Sequence, residues 1–228
     1  MKGAYTITIF FVAISLFYGC KKEKSEYSFN TKINDVDGNT YNTVTIGIQV
    51  FLAENLKTTK YQNGDPIPTT VLNVSAESAP KYQWAYADDE SNVTVYGRLY
   101  TWYTVTDKRN ICPTGWHVPT YTELGALKMY LGGESIGGGK LKETETTHWL
   151  SPNTGATNET GFTALPGGYR NLNGDYVSLG LSCYLWSSSL NPYDLNLGWG
   201  QGMYSNSGIL LEGGYNKPNG VSVRCIKE

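Results

Sequence analysis

The chain has 228 residues and a formal net charge of −2 at pH 7, with 18 lysine and arginine residues against 20 aspartate and glutamate residues. This balance excludes the basic surface that binding to nucleic-acid phosphates requires, so nucleic acid is not an expected partner. The 26 glycines, the 18 tyrosines and a charged fraction of only 17% predict many turns, short strands and aromatic packing.

The first 20 residues have the layout of a bacterial export signal. Lys2 precedes an apolar run from Ile7 to Leu16, which is too short to cross a bilayer, and Gly19 and Cys20 follow. A cysteine directly after a small residue at this point resembles the lipobox of bacterial lipoproteins. The segment therefore predicts cleavage before Cys20, lipidation of Cys20, and attachment to the outer membrane or cell surface. An ordinary signal peptide cut nearby, or a buried strand, is the alternative.

The next segment, residues 21–30, is predicted to be a solvated tether, because its opening run KKEKSE carries no apolar residue to bury. Loss of residues 1–20 would remove one basic residue, Lys2, and leave 17 basic against 20 acidic side chains, a net charge of about −3. Residues 31–228 are then enough for one domain with a single core.

The stretch INDVDGNTYNTVTIGIQVFLAENL predicts two short strands around a turn at Asp37, Gly38 and Asn39. The alternation of Val44, Ile46 and Ile48 predicts one apolar face. The acidic turn does not match an EF-hand calcium loop, because its glycine comes too early and an isoleucine replaces the bidentate glutamate.

Two helices are predicted in the middle of the chain. Leu99, Trp102 and Tyr103 have helical spacing, which favours a short amphipathic helix. The segment TYTE, residues 120–123, is a capping box that opens the second helix. Its apolar face is formed by Leu124, Leu127 and Leu131, and it ends at Gly132 and Gly133.

No helix is predicted after residue 133, where brief β-prone runs alternate with Gly, Asn and Pro. The predicted fold class is therefore α+β, with two short helices against an irregular antiparallel sheet with long loops.

Few residues suggest catalysis. WSSS lacks the G-x-S-x-G pattern, IGGGK lacks the end of a phosphate loop, and the acidic run at residues 88–90 is more typical of a solvated loop. Three cysteines follow residue 20, at positions 112, 183 and 225. In an exported protein this number predicts one disulfide and one free thiol. His117, close to Cys112, is then either a structural histidine or the partner of a reactive thiol.

A series of motifs occurs in a characteristic order: DGNTY, AENLKTTKYQNG, YGRLYTWY, CPTGWHVPT, LGG, GGKLKE, THWLSPNTGATNETGFTALPGGYR, WSSS and GVSVRC. From about Asp35 to Glu228 this series resembles the Fibrobacter succinogenes major paralogous domain family of exported bacterial proteins. Phe51, where the family usually has tryptophan, and Cys183 depart from the pattern. The resemblance implies a fold similar to the C-type-lectin-like fold of formylglycine-generating enzymes.

The resemblance also implies a disulfide between Cys112 and Cys225, because the lectin-like fold commonly ties its closing strand to the middle of the chain. Such a bond would make His117 structural. Formylglycine-generating enzymes use a pair of cysteines shortly before the closing strand, and this chain has none there before Cys225. Without those thiolates neither copper(I) binding nor a mixed disulfide with substrate carries over.

The sequence therefore predicts a lipid-anchored surface protein that is not an enzyme and binds an extracellular glycan or protein. An enzyme with an unrecognised site and a structural component of a surface assembly are the alternatives. No metal site and no cofactor are predicted, with a structural calcium ion left open. The resemblance places the ligand region at residues 191–215, where the candidate contacts are Trp199, Tyr204, Tyr193, Asp194 and Asn196. Burial of Trp199 in the core is the competing interpretation.

Overall fold

The computed structural model describes Met1 and residues 32–228. Apart from Met1, the predicted signal peptide with Cys20 and the predicted tether at residues 21–30 lie outside the described residues. Within the described part of the chain, the fold is mixed α+β with four α-helices.

The helices and strands are short. The helices are α1 (Ser91–Tyr96), α2 (Trp102–Val105), α3 (Tyr121–Tyr130) and α4 (Glu134–Leu141), and a 3-10 helix spans Tyr86–Asp88. The strands are β1 (Ile33–Asn34), β2 (Thr40–Tyr41), β3 (Thr43–Ile46), β4 (Gln49–Leu52), β5 (Gln83–Trp84), β6 (Leu99–Tyr100), β7 (Trp116–His117), β8 (Gly167–Arg170), β9 (Tyr176–Leu179), β10 (Ser182–Leu190), β11 (Leu197–Tyr204), β12 (Leu211–Asn216) and β13 (Ile226–Lys227).

Two larger sheets organise the domain. One has five strands in the order β12-β11-β10-β8-β9, and the other has four in the order β3-β4-β13-β7. Among the strands that the structure describes, β10 and β8 form the parallel pair, and the other pairs are antiparallel. The last strand, β13, lies between β4 and β7, so the end of the described chain completes the four-stranded sheet.

The core consists of two clusters that share strand β10. Trp186 belongs to the cluster that also contains Cys112 and Cys225, whereas Cys183 and Leu185 belong to the cluster that packs under α3 and α4. Successive side chains of a strand point to opposite faces. Strand β10 therefore separates the two clusters, with one on each side.

Several predicted elements are confirmed. The chain turns between β1 and β2 at residues 35–39, where the Asp35 carboxylate accepts hydrogen bonds from the backbone amides of Asp37 and Asn39 at 3.0 and 2.9 Å. The capping box of α3 is present, with Thr120 and Glu123 bonded reciprocally. Helix α3 also ends just before Gly132, as predicted.

Three predictions of local structure were wrong. Ile48 is fully exposed, because it lies in the turn between β3 and β4 rather than on a strand. Leu99 belongs to β6, so the predicted amphipathic helix is reduced to the single turn α2. Helices α1 and α4 were not predicted, and α4 follows directly after Gly133.

Candidate ligand-binding site

The corner at residues 110–117 is held by a disulfide and by side-chain bonds to the backbone. Cys112 is bonded to Cys225, with their Cα atoms 6.0 Å apart. The Asn110 side chain accepts from the Cys112 amide at 2.9 Å and donates to the Trp116 carbonyl at 2.8 Å. Nε2 of His117 lies 2.8 Å from a carboxylate oxygen of Glu123. The cysteine near His117 in sequence is thus bonded, and His117 contacts a carboxylate instead, which favours a structural role over a reactive Cys–His pair.

The third cysteine, Cys183, is free and buried in the second core cluster. Burial raises the pKa of its thiol to about 12. Because a thiolate is the nucleophilic form, Cys183 is protonated and unreactive at neutral pH.

The second histidine is paired in the same way as His117. Nδ1 of His148 lies 2.9 Å from the carboxylate of Glu143.

Over the described part of the chain, no group of three or more His, Cys, Asp or Glu side chains is placed to hold a metal ion. Within the same residues, no helix is both long enough and apolar enough to cross a membrane.

A cleft on the face of the five-stranded sheet is the most developed candidate site. It has a volume of about 330 Å³ and is lined by Tyr169, Tyr184, Leu197, Gly214, Tyr215, Asn216, Asn219 and Val221. The Tyr184 ring lies between the other two tyrosines, with centroids 5.3 Å from Tyr169 and 5.2 Å from Tyr215. Both pairs meet edge to face, which is the favoured geometry for aromatic rings.

The tyrosine hydroxyls of the cleft are neutral. Burial raises the pKa of Tyr184 and of Tyr215 above the usual range of tyrosine. The Tyr184 hydroxyl donates to the Tyr204 hydroxyl at 3.2 Å. The walls therefore present apolar ring surface together with hydroxyl groups that can both donate and accept.

Alternate glycines in β11 make room for these rings. A Cβ atom on Gly200 would lie 2.9 Å from the Tyr215 ring, and a Cβ atom on Gly202 would lie 2.8 Å from its hydroxyl. A Cβ atom on a third glycine of this strand, Gly198, would collide with the Trp102 ring. Since residues two apart share one face of a strand, these glycines clear the face on which the tyrosines lie.

None of the five predicted contact residues lines the tyrosine cleft. Trp199 lies on the opposite face of β11 from the glycines, is only 6% exposed, and packs edge-on against Tyr121 of α3. Trp199 is thus part of the interior, as the competing interpretation held. Tyr204 lies on the cleft side, with its ring 5.8 Å from Tyr184, but it is not a lining residue.

The other three predicted contacts lie in the connection between β10 and β11. Tyr193 is 88% exposed, and its ring centroid is 6.4 Å from that of Trp199. The Asp194 carboxylate accepts from both the backbone and the side chain of Asn196, which closes a local turn. From the predicted region 191–215, Leu197, Gly214 and Tyr215 line the cleft.

Sequence reasoning missed Tyr169, Tyr184, Asn216 and Asn219 of the cleft. They come from β8, β10, the end of β12 and the following turn, so no short motif contains them. The spacing of the glycines in GWGQG was the available signal, because it marks one face of a strand as empty.

A second concavity, of about 390 Å³, is polar and already neutralised. Its lining includes Asp37, Glu90 and Arg98. Arg98 is paired with Glu90, and Lys60 lies 3.0 Å from Asp37. These charges compensate one another within the protein, so this groove is less suited than the tyrosine cleft to an outside ligand.

The geometry thus defines a mixed α+β domain with a tyrosine-walled cleft on its larger sheet. The sequence model of the Fibrobacter succinogenes major domain family matches residues 44–227. The chain belongs to this family, as its motifs predicted. No curated protein and no solved structure matches the chain.

Proposed function

We propose that this chain is a lipid-anchored protein of the outer membrane or cell surface that binds an extracellular ligand, a glycan or a protein, in the tyrosine cleft. The predicted export signal with Cys20 and the resemblance to a family of exported bacterial proteins support the anchor. The membrane is then reached through the lipid, and the folded domain faces its ligand at the end of the tether.

We further propose that the domain has the C-type-lectin-like fold of formylglycine-generating enzymes. Three features support this assignment: the mixed α+β class, the central position of β13 between β4 and β7, and the bond that ties Cys225 to Cys112. The fold does not assign a ligand or a reaction, which depend on the site itself.

The cleft is the single observation that carries the proposal. It is concave, it presents three aromatic side chains, and its volume is at the lower end of the range of small-ligand sites. None of its lining residues carries a carboxylate, imidazole, thiol or amine, and burial raises the pKa of the Tyr184 and Tyr215 hydroxyls, which disfavours the ionised form that a catalytic base or nucleophile needs. This chemistry favours a binding module over an enzyme.

A substitution that fills the cleft tests the proposal. Asn216 is exposed at the mouth, so Asn216→Trp adds bulk there and removes no buried contact. Asn206→Trp, at an exposed turn away from the lining residues, is the matched control. The purified full-length chain is screened against a glycan array and against surface protein extracts, and each ligand found is measured with both variants.

We expect at least one ligand that Asn206→Trp retains and Asn216→Trp loses. A ligand bound equally well by wild type and Asn216→Trp would place the site elsewhere. A ligand that the wild type converts to product would favour the enzyme alternative, and a chain with no ligand in either screen would favour a structural component of a surface assembly.

A further inference from the structure

We propose that the cleft selects a neutral, hydroxyl-rich ring, the sugar unit of an uncharged glycan, over acidic glycans and charged peptides. This inference rests on the proposed function and adds the chemical class of the ligand. It depends on three features of the cleft: its charge, its unpaired amide and the arrangement of its rings.

The lining of the cleft is uncharged. Its polar groups are the tyrosine hydroxyls and the amides of Asn216 and Asn219. The cation next to it in sequence, Lys217, donates to the Leu195 carbonyl at 2.6 Å, and its ammonium nitrogen lies 4.8 Å from the centre of the Trp102 ring. A carboxylate, sulfate or ammonium group in the cleft would lose hydration without gaining an opposite charge, which is costly.

Asn219 supplies a polar atom without a partner. Asn219 is 9% exposed, and its Oδ1 atom accepts no hydrogen bond from any described residue. Buried amide groups are normally bonded, but neither Oδ1 nor Nδ2 of Asn219 makes a side-chain bond within the described residues, so this amide in the cleft wall is left for the occupant to bond. A hydroxyl suits either orientation of the amide, because it can both donate and accept. A purely apolar occupant would leave the Asn219 amide unsatisfied.

The rings supply the remaining surface. The planes of Tyr169 and Tyr184 are inclined at 83°, and those of Tyr184 and Tyr215 at 71°. An occupant therefore meets ring faces and ring edges from more than one direction. The C–H faces of a pyranose can pack on such rings while its hydroxyls reach the tyrosine and asparagine groups around them. The cleft volume suits a mono- or disaccharide unit rather than a long segment.

Matched oligosaccharides test the charge selection. The full-length chain is titrated by calorimetry with the neutral probes cellotriose, maltotriose, mannotriose and triacetylchitotriose, and with trigalacturonate as the acidic counterpart. We expect at least one neutral probe to bind, and we expect trigalacturonate to bind at least about tenfold more weakly than that probe. Binding of trigalacturonate with equal or higher affinity overturns the inference, and so does the absence of binding by every neutral probe at millimolar concentration.

The Asn219→Leu variant tests the amide. Replacement of an unbonded buried amide by an apolar side chain of similar size removes no internal side-chain bond, so the melting temperature should be unchanged or higher. The affinity for the neutral probe should fall by about tenfold, the effect of one lost hydrogen bond. A merely structural Asn219 would show the opposite result, a lower melting temperature with unchanged affinity, and that outcome overturns the inference.

The Asn216→Trp variant separates this inference from the proposed function. A charged ligand that Asn216→Trp loses would leave the cleft as the binding site and overturn only its selectivity for neutral sugars. A neutral sugar that Asn216→Trp still binds with wild-type affinity would remove the cleft as the site, and both proposals would fail.

Discussion

Lys142 is a fully buried cation that has no carboxylate partner among the residues that the structure describes. Its ammonium nitrogen donates to the carbonyl oxygens of Thr154, Tyr204 and Ser207, each at 2.9 Å. Three acceptors match the three N–H donors of an ammonium group, so the backbone replaces its lost water. Lys142 thus ties the connection after β11 to the segment around residue 154.

The burial of Lys142 predicts a dependence of stability on pH. Desolvation lowers the pKa of its amine from 10.5 to about 8 in the folded protein. Between these values the folded state binds fewer protons than the unfolded state. The contribution of Lys142 to the free energy of unfolding therefore increases with pH, by up to about 1.4 kcal/mol per pH unit.

Denaturant titration of wild type and Lys142→Met from pH 7 to pH 10.5 measures this effect. The variant lacks the titrating group. The free energy of unfolding of wild type minus that of Lys142→Met should therefore be constant below about pH 8 and increase above it. A difference between the two proteins that does not change with pH would contradict the prediction.

Single-residue predictions succeeded where a local rule decides the outcome and failed where a neighbour does. The Thr120 and Glu123 capping box needs only residues three apart, and it is present. The predicted apolar face of Val44, Ile46 and Ile48 required one continuous strand. Gly47 instead has a positive φ of 63° and turns the chain. The strand therefore ends at Ile46, two residues before Ile48.

Helix α4 contains three consecutive glycines, which made a helix unexpected from the sequence. Gly137, Gly138 and Gly139 lower helix propensity, which is why no helix was predicted there. In the structure a Cβ atom on Gly138 would lie 2.3 Å from the Ile209 carbonyl oxygen, and one on Gly139 would lie 2.1 Å from the Gly155 carbonyl oxygen. These glycines permit close contact between α4 and two loops, a tertiary requirement that outweighs propensity.

Two glycine-to-alanine substitutions separate propensity from packing. Gly138→Ala should lower the free energy of unfolding by about 1–3 kcal/mol, because its methyl group collides with backbone. Gly125→Ala, in α3, is the control, since nothing lies within 4 Å of its Cβ position. It should raise the free energy of unfolding by about 0.5–1 kcal/mol. Equal effects of the two substitutions, measured by urea denaturation, would show that propensity alone governs both sites.

For the molecule as a whole, the family and the α+β class could be predicted from the sequence, but the candidate site could not. Its walls come from Tyr169, Tyr184 and Tyr215, which only the register of β8, β10, β11 and β12 brings together. The resemblance to formylglycine-generating enzymes placed the ligand region at residues 191–215. Within that segment the first candidate contact, Trp199, is buried. Composition predicts abundant aromatic packing but cannot say which rings remain accessible.

The proposed lipid anchor gives a prediction that rests on the sequence. Mass spectrometry of the membrane-extracted protein should find Cys20 at the amino terminus and acylated. Cys20→Ala should shift the protein to soluble fractions, because several acyl chains together hold a protein on a membrane and none would remain. Unchanged membrane retention of Cys20→Ala would contradict lipid anchoring.

The place of β13 also bears on the order in which the molecule can assemble. Strands β4 and β7 are not neighbours in the four-stranded sheet, because β13 lies between them. In the chain, β13 comes after every other described strand. The sheet therefore cannot close until residue 226 has been made, and its closure brings together segments with very large sequence separation, such as Phe51 and Ile226. High contact order slows folding. Late closure of this sheet suits the export that we propose for the chain, because the Cys112–Cys225 bond can form only after residue 225 has followed the rest of the domain.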